Sequence, residues 1–305
     1  MASTLLQLVQ QASAEMGLAI PNTVVGNVAT DVQQMYYLIN AAGNEIAREY
    51  PWEALNIAYE WYSQFVQSDG VIVEGTSVIT GVDASAVNFI NSIGAKKFQV
   101  QGEGIIQNTS VVSALGTTVT ITGVATGNGS GQYTFGQTKY DLPAGFDRIT
   151  DRTQYDKSKR WEMLGPETPQ QWQWLKSSYI STGPRIRWRI MGSEFQIWPL
   201  TSTNEYLGFE YITTNWAFNS SGAQIPQFAA DNDTCCFPDR LMVLALKKKY
   251  FEVKGFDTTA FQRDYDMQMN IAKANDQGSP TLSLAPRTAN VLIGWENIPD
   301  ANYGS

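Results

Sequence analysis

Between Pro238 and Asp276 apolar residues recur at helical spacing. Leu241, Leu244, Ala245, Lys248 and Phe251 fall on one stripe, with Met242, Leu246 and Tyr250 beside it. Pro238 suits a first helical position, where its missing N–H costs nothing. Gly255 ends the pattern. Thr259-Ala-Phe-Gln262 then reads as a capping box opening a second helix, which carries Ala260, Phe261, Tyr265, Met267, Ile271 and Ala274 toward a partner. The apolar faces of this αα-hairpin exceed what two helices bury on each other, so further helices are expected. The N-terminus supplies them. Thr4-Leu-Leu-Gln7 is a capping box before the stripe Leu5, Leu8, Val9, Ala12 and Met16, which ends at Gly17. Thr30-Asp-Val-Gln33 repeats the signature and opens a longer helix with Met35, Ile39, Ala42, Ile46 and Tyr50 inside, stopped by Pro51. Four helices of this kind predict a bundle.

After Trp52 the period changes to two. Leu55, Ile57, Tyr59 and Trp61 alternate with more polar residues, as in a half-buried strand. Gly70 to Gly136 is rich in Gly, Ser, Thr and Val and nearly free of charge. It predicts strands at Val71–Val73, Ser77–Ile79, Lys97–Val100, Val111–Val112, Thr118–Ile121 and Tyr133–Phe135, a small sandwich or barrel. Within it Thr76-Ser-Val-Ile-Thr-Gly-Val82 is echoed by Thr118-Val-Thr-Ile-Thr-Gly-Val124, a weak repeat. Its glycine-rich borders suit a domain inserted in a surface loop. Thr168-Pro-Gln-Gln171 is a further capping box, opening a short helix through Trp172 and Leu175. Gly183-Pro184 leads a strand with Arg185, Arg187 and Arg189 on one side and Ile186, Trp188 and Ile190 on the other. Gly192-Ser193 turns it, Phe195 to Trp198 returns as a hairpin arm, and Leu207 to Ile212 is a third strand.

From Gln277 to Ser305 nothing is periodic, and Pro280, Pro286, Gly294 and Pro299 rule out a long helix. Leu282, Leu284, Val291, Leu292, Ile293 and Trp295 are too apolar for a solvated tail. An arm without a core of its own lies on something else: a neighbour, or its own domain.

Composition narrows the chemistry. The chain has 305 residues, a formal net charge of −8 and no histidine. Absence of histidine removes Ser-His-Asp and Cys-His sites, histidine bases and most zinc sites. The acidic balance argues against binding by phosphate neutralisation. No apolar run reaches membrane-spanning length, and the N-terminus lacks a basic region before an apolar core, so neither anchor nor secretory signal is expected. Adjacent Cys235 and Cys236 read as buried reduced thiols before a helix, in keeping with assembly in a cytoplasm. Glu45, Glu49 and Glu53 are candidate paired carboxylates for glycoside hydrolysis, although Glu45 and Glu49 sit one turn apart on a solvated face. Asp231-Asn-Asp233 reads as a turn or cap, since it lacks the glycine and distal glutamate of an EF-hand. Lys247-Lys248-Lys249 wraps round its helix and reads as solvated, and most of the tryptophans read as core or interface anchors. No cofactor motif is present. The arginine triplet is the sharpest charged feature, and salt bridges within or between subunits suit an acidic chain better than DNA.

The order of several stretches carries a resemblance. These are Leu5–Ala12 ending in Gly17-Leu18, Ala41 to Trp52, and Tyr140-Asp-Leu-Pro143 with Phe146 and Arg148. The Gly183-Pro184 strand, Phe195 to Pro199, and Asp231–Asp233 before the C-terminal helices complete the series. Over residues 1–62 and 137–285 the chain resembles the head-to-tail adaptor (connector) proteins of short-tailed bacteriophages. The expected fold is α+β: an α-helical bundle with a β-hairpin region, an inserted small all-β domain and an extended C-terminal arm. Residues 1–66 and 137–278 would form the adaptor core, 67–136 the insert and 279–305 the arm. The resemblance implies a non-enzymatic homo-oligomeric ring, a dodecamer, in the neck of the virion. Its partners would be the portal protein and the tail nozzle or tail fibre proteins, with DNA passing through the lumen unbound and no membrane involved. Candidate interface residues are Arg185, Arg187, Arg189, Leu282, Leu284, Val291, Leu292, Ile293 and Trp295. The rival reading is a virion-associated glycan-binding or peptidoglycan-degrading tail protein. A tail protein further from the portal is a third.

Overall fold

The computed structural model describes residues 3–177 and 185–276. The Gly183-Pro184 lead and the six apolar arm residues, Leu282, Leu284, Val291, Leu292, Ile293 and Trp295, lie outside the described residues.

Helix α1 (Leu5–Met16) opens on the predicted box: Thr4 Oγ1 accepts from Gln7 N at 3.3 Å and Gln7 Oε1 accepts from Thr4 N at 3.0 Å. Gly17 closes it at φ 72°, a conformation that favours glycine. Helix α2 (Thr30–Glu49) corrects the second box. Thr30 is already helical and caps nothing; Asn27 turns the chain in, its Oδ1 accepting from Ala29 N at 2.9 Å. A three-residue 3-10 turn leads to β1 (Asn56–Tyr62), which runs directly into β2 (Phe65–Ile72). Then come β3 (Val78–Thr80), α3 (Ala84–Ile93), β4 (Phe98–Gln101), β5 (Thr109–Leu115), β6 (Thr118–Ile121) and β7 (Gly129–Gln137). Strands β2-β3-β6-β5-β4-β7 close into a barrel.

The chain continues as β8 (Lys139–Asp141), β9 (Phe146–Ile149), β10 (Tyr155–Asp156) and β11 (Trp161–Glu162). Helix α4 (Pro169–Lys176) starts on the predicted Thr168–Gln171 box. Next are β12 (Arg187–Met191), β13 (Glu194–Trp198), β14 (Tyr206–Thr213), β15 (Ala217–Phe218), β16 (Gln224–Ile225) and β17 (Thr234–Cys235). Helices α5 (Asp239–Lys254) and α6 (Thr259–Asp276) end the described chain, with Pro238 just before the first helical residue. At α6 too the predicted box fails: Asp257 Oδ1, not Thr259, receives the free N–H, from Thr259 at 3.0 Å.

Mixed α+β architecture is therefore observed, in three cores. In the first, α5 is buried on every side from Leu241 to Lys247, where its sequence is apolar all round up to Leu246. It is contacted by α1, α2 and α6. A four-helix bundle is not evident, because Trp216, Phe228, Cys235 and Phe237, from strands and loops, complete this core. Gly43 on α2 lets Trp216 approach: a Cβ there would lie 2.2 Å from the indole. The second core fills the barrel, and it corrects the all-β expectation. Ala86, Val87 and Ile90 of α3 pack among Ile79, Phe98, Val119 and Phe135. The echoed segments are neighbours there, with Ile79 opposite Val119 in an antiparallel pair. The third core lies between the β1-β14-β10-β11 sheet, joined by β9, and the β12-β13-β8 sheet. Phe195 stacks on Phe209 at 5.1 Å and on Trp188 at 5.3 Å.

Candidate functional site

Strand β12 alternates as predicted. Trp188 is buried and Ile190 packs against the third core, while Arg187 and Arg189 emerge on the opposite face; Arg185 precedes the strand and is exposed. The register places Arg189 beside Gln196, and Gln196 beside Lys139, across the three-stranded sheet. Helix α4 lies on this face through a small cluster of Trp172, Leu175 and Trp198, which brings Lys176 near Arg189 and Lys139. Burial pushes the Lys176 amine down, and the charges of Lys139 and Arg189 add to that, countered by Glu194. The Lys176 Nζ sits 5.2 Å from the centre of the Trp172 ring. Arg187 does not join this group, because its guanidinium pairs with the buried Glu167 carboxylate. Thus the triplet divides: Arg187 is spent inside the subunit, and Arg189 is the one placed in a cationic group. Lys139 and Lys176 were not singled out from the sequence, since the strand and helix carrying them meet only in the fold.

The lysine triplet is not solvated. Lys247 is 8% exposed and reaches Glu15 at 2.8 Å; Lys249 reaches Glu45 at 2.6 Å; Lys248 lies over the Tyr265 ring at 4.8 Å. Charge at these positions ties α5 to α1, α2 and α6. Two of the carboxylates weighed for hydrolysis, Glu45 and Glu49, take part in the same bracing. Glu49 receives Lys273 at 2.9 Å and the Tyr265 hydroxyl at 3.3 Å. Asp233 is the turn residue expected, its Oδ2 accepting from Ala229 and Ala230 N at 2.7 Å, whereas Asp231 is a long-range anchor, its Oδ1 accepting from Val25 N at 2.8 Å. Burial pushes both the Cys235 and Cys236 thiols up to about 12, so they stay protonated and weakly reactive. Among the described residues no group of three His, Cys, Asp or Glu side chains could hold a metal. No described helix is long and apolar enough to cross a membrane.

Helix α6 turns a different edge inward from the one predicted. Tyr265, Met269 and Ala272 are buried, whereas Met267 and Ile271 are 55% and 46% exposed. At about 100° per residue, Met267 lies nearly opposite Tyr265, and Ile271 lies on the flank roughly 120° round from it, on the Ala272 side. That flank borders a cleft of about 240 Å³ lined by Trp52, Cys236, Phe237, Ile271 and Ala272, with Asp276 at its rim. Sequence reading missed the cleft. Its signal was Ile271, an apolar residue in excess of the stripe that α5 needed.

Charged side chains thus brace the helices to one another, beside a cationic group at Lys139, Lys176 and Arg189 and an apolar cleft at Trp52. The chain belongs to the SU10 adaptor protein family, whose model matches residues 86–287. It is accordingly a structural adaptor protein of a phage. The matched span begins inside the barrel, at α3, and takes in the whole stretch from 137 to 285; the N-terminal stretch 1–62 of the resemblance lies before it. No curated protein matches the chain.

Proposed function

We propose that this adaptor is the subunit of a closed ring, a dodecamer, seated between portal and tail of a short-tailed phage. The ring extends the DNA channel and gives the tail nozzle or fibres their platform. Residues 1–66 and 137–278 form its core, the barrel of 67–136 faces outward, and residues 279–305 reach the portal or the next subunit. The observation that carries this reading is the adaptor family match over 86–287. Two features support it. A net charge of −8 suits a lumen along which DNA slides without sticking. A ring uses two different faces of each subunit, and the Lys139, Lys176 and Arg189 group offers one of them a cationic surface for an acidic neighbour.

Negative-stain images of the purified chain with and without purified portal test the reading. Rings coaxial with the portal and of twelvefold symmetry are expected in the mixture. Free subunits beside bare portals would overturn it. Deleting Gln277–Ser305 should leave a folded subunit that no longer joins heads; normal attachment by that truncation would remove the arm from the mechanism.

A further inference from the structure

Along α6 the exposed Ile271 opens onto the cleft beside Trp52 and Phe237. At about 240 Å³ the cleft is smaller than the ~300–1,000 Å³ of small-molecule sites, yet it has room for apolar side-chain anchors. Its wall is firm. Trp52 Nε1 donates to Ile46 O at 2.7 Å, and the indole meets Phe237 edge-on at 5.4 Å. Asp276 marks the mouth, where its Oδ2 accepts from Glu53 N at 2.7 Å, so the chain leaves α6 at the cleft itself. Past this point the sequence carries apolar residues at Leu282, Leu284, Val291, Leu292, Ile293 and Trp295. Six extended residues span at most about 20 Å, which keeps Leu282 and its successors within reach of the mouth. A tether that short gives an effective concentration on the order of millimolar.

We infer that residues 282–295 of the same chain dock in this cleft in the free subunit, covering Ile271 until assembly draws them away. The inference goes beyond the ring reading, because it concerns the subunit before it meets any partner, and the ring could form whether or not the arm first lies here.

Amide hydrogen exchange on the dilute full-length chain tests it. Residues 282–295 should exchange at least about tenfold more slowly than an unprotected chain. That protection should be unchanged by about 100-fold dilution, as an intramolecular contact requires. Ile271→Glu should abolish it, and Met191→Glu, an exposed apolar position on the arginine hairpin, should not. Should Ile271→Glu loosen α5 itself, Asn275→Trp, filling the mouth from an exposed position, carries the same expectation. Absence of protection in the unaltered chain overturns the inference. So does protection that survives the cleft substitutions, is equally lost in Met191→Glu, or falls on dilution, the last assigning the segment to a second copy. None of these outcomes depends on rings forming on the portal.

Discussion

The barrel and the helical layer bury apolar surface in opposite ways. The barrel core comes from one continuous stretch, Ile72 to Phe135, and its strands close on themselves, leaving no open edge. The helical core joins Leu5–Leu55 to Ile212–Ala272, so its contacts bridge most of the chain. The barrel's exposed apolar residues, such as Val71, Leu115 and Val124, belong to a unit whose interior is already filled. In the helical layer Ile271 and the Trp52 cleft form an apolar surface that the described residues leave uncovered. One region is finished by its own sequence. The other keeps an apolar cleft that its described residues do not fill.

That contrast is broken most severely at Trp216. Its indole is fully buried, stacks on Phe237 at 6.0 Å, meets Phe228 edge-on at 4.9 Å, and donates from Nε1 to Asn44 Oδ1 at 2.9 Å. Trp216→Ala should cost about 3–5 kcal/mol, read from a shifted denaturant midpoint. Helical amides in α1, α2 and α5 should lose exchange protection while barrel amides in β2 and β7 keep theirs. If both regions lose protection together, the two cores are one cooperative unit and the comparison fails.

The reverse substitution sharpens it. Ile79 is fully buried in the barrel, opposite Val119. Ile79→Ala should cost about 2–4 kcal/mol. Here the loss of protection should stay within the barrel, with α5 exchanging as before.

How far the sequence could be read tracks the same divide. Strands β3, β4 and β6 were legible to within a residue or two, because alternation and glycine turns are local signals. The capping boxes at Thr4 and Thr168 were legible for the same reason. Those predicted at Thr30 and Thr259 failed because Asn27 and Asp257, a few residues upstream, held better-placed acceptors. Helix α3 was missed although Ala86, Val87 and Ile90 have helical spacing, since the glycine, serine and threonine around it drew the whole stretch toward strands. Register between distant segments was not legible at all. Nothing local says that Lys176 will lie over Arg189 and Lys139, that Lys247 will be buried on Glu15, or that α6 will present Met269 inward and Ile271 outward. Arg187 and Arg189 do share one face of β12, but their division between Glu167 and the cationic group depends on where α4 docks.

The smallest effect concerns the seam between α1 and α5. Glu15 on α1 receives Arg240 at 2.6 Å and Lys247 at 2.8 Å from α5. Burial alone would raise its carboxyl pKa. Hydrogen bonds from Lys247 and Gln11, with the charges of Lys247 and Arg240, outweigh that and hold it below the usual carboxylate range. A depressed folded value means that the contribution is present above the unfolded value, about 4.3, and is lost as pH falls through the folded one. Because Glu15 stands partly in solvent, Glu15→Gln should cost only about 0.2–1 kcal/mol at neutral pH. Urea midpoints of the two proteins should converge in acid, where the unaltered carboxyl is protonated too and Lys247 has lost its counter-charge in both. A gap that persists in acid would mean that Glu15 braces the seam by its shape and hydrogen bonds, not by its charge.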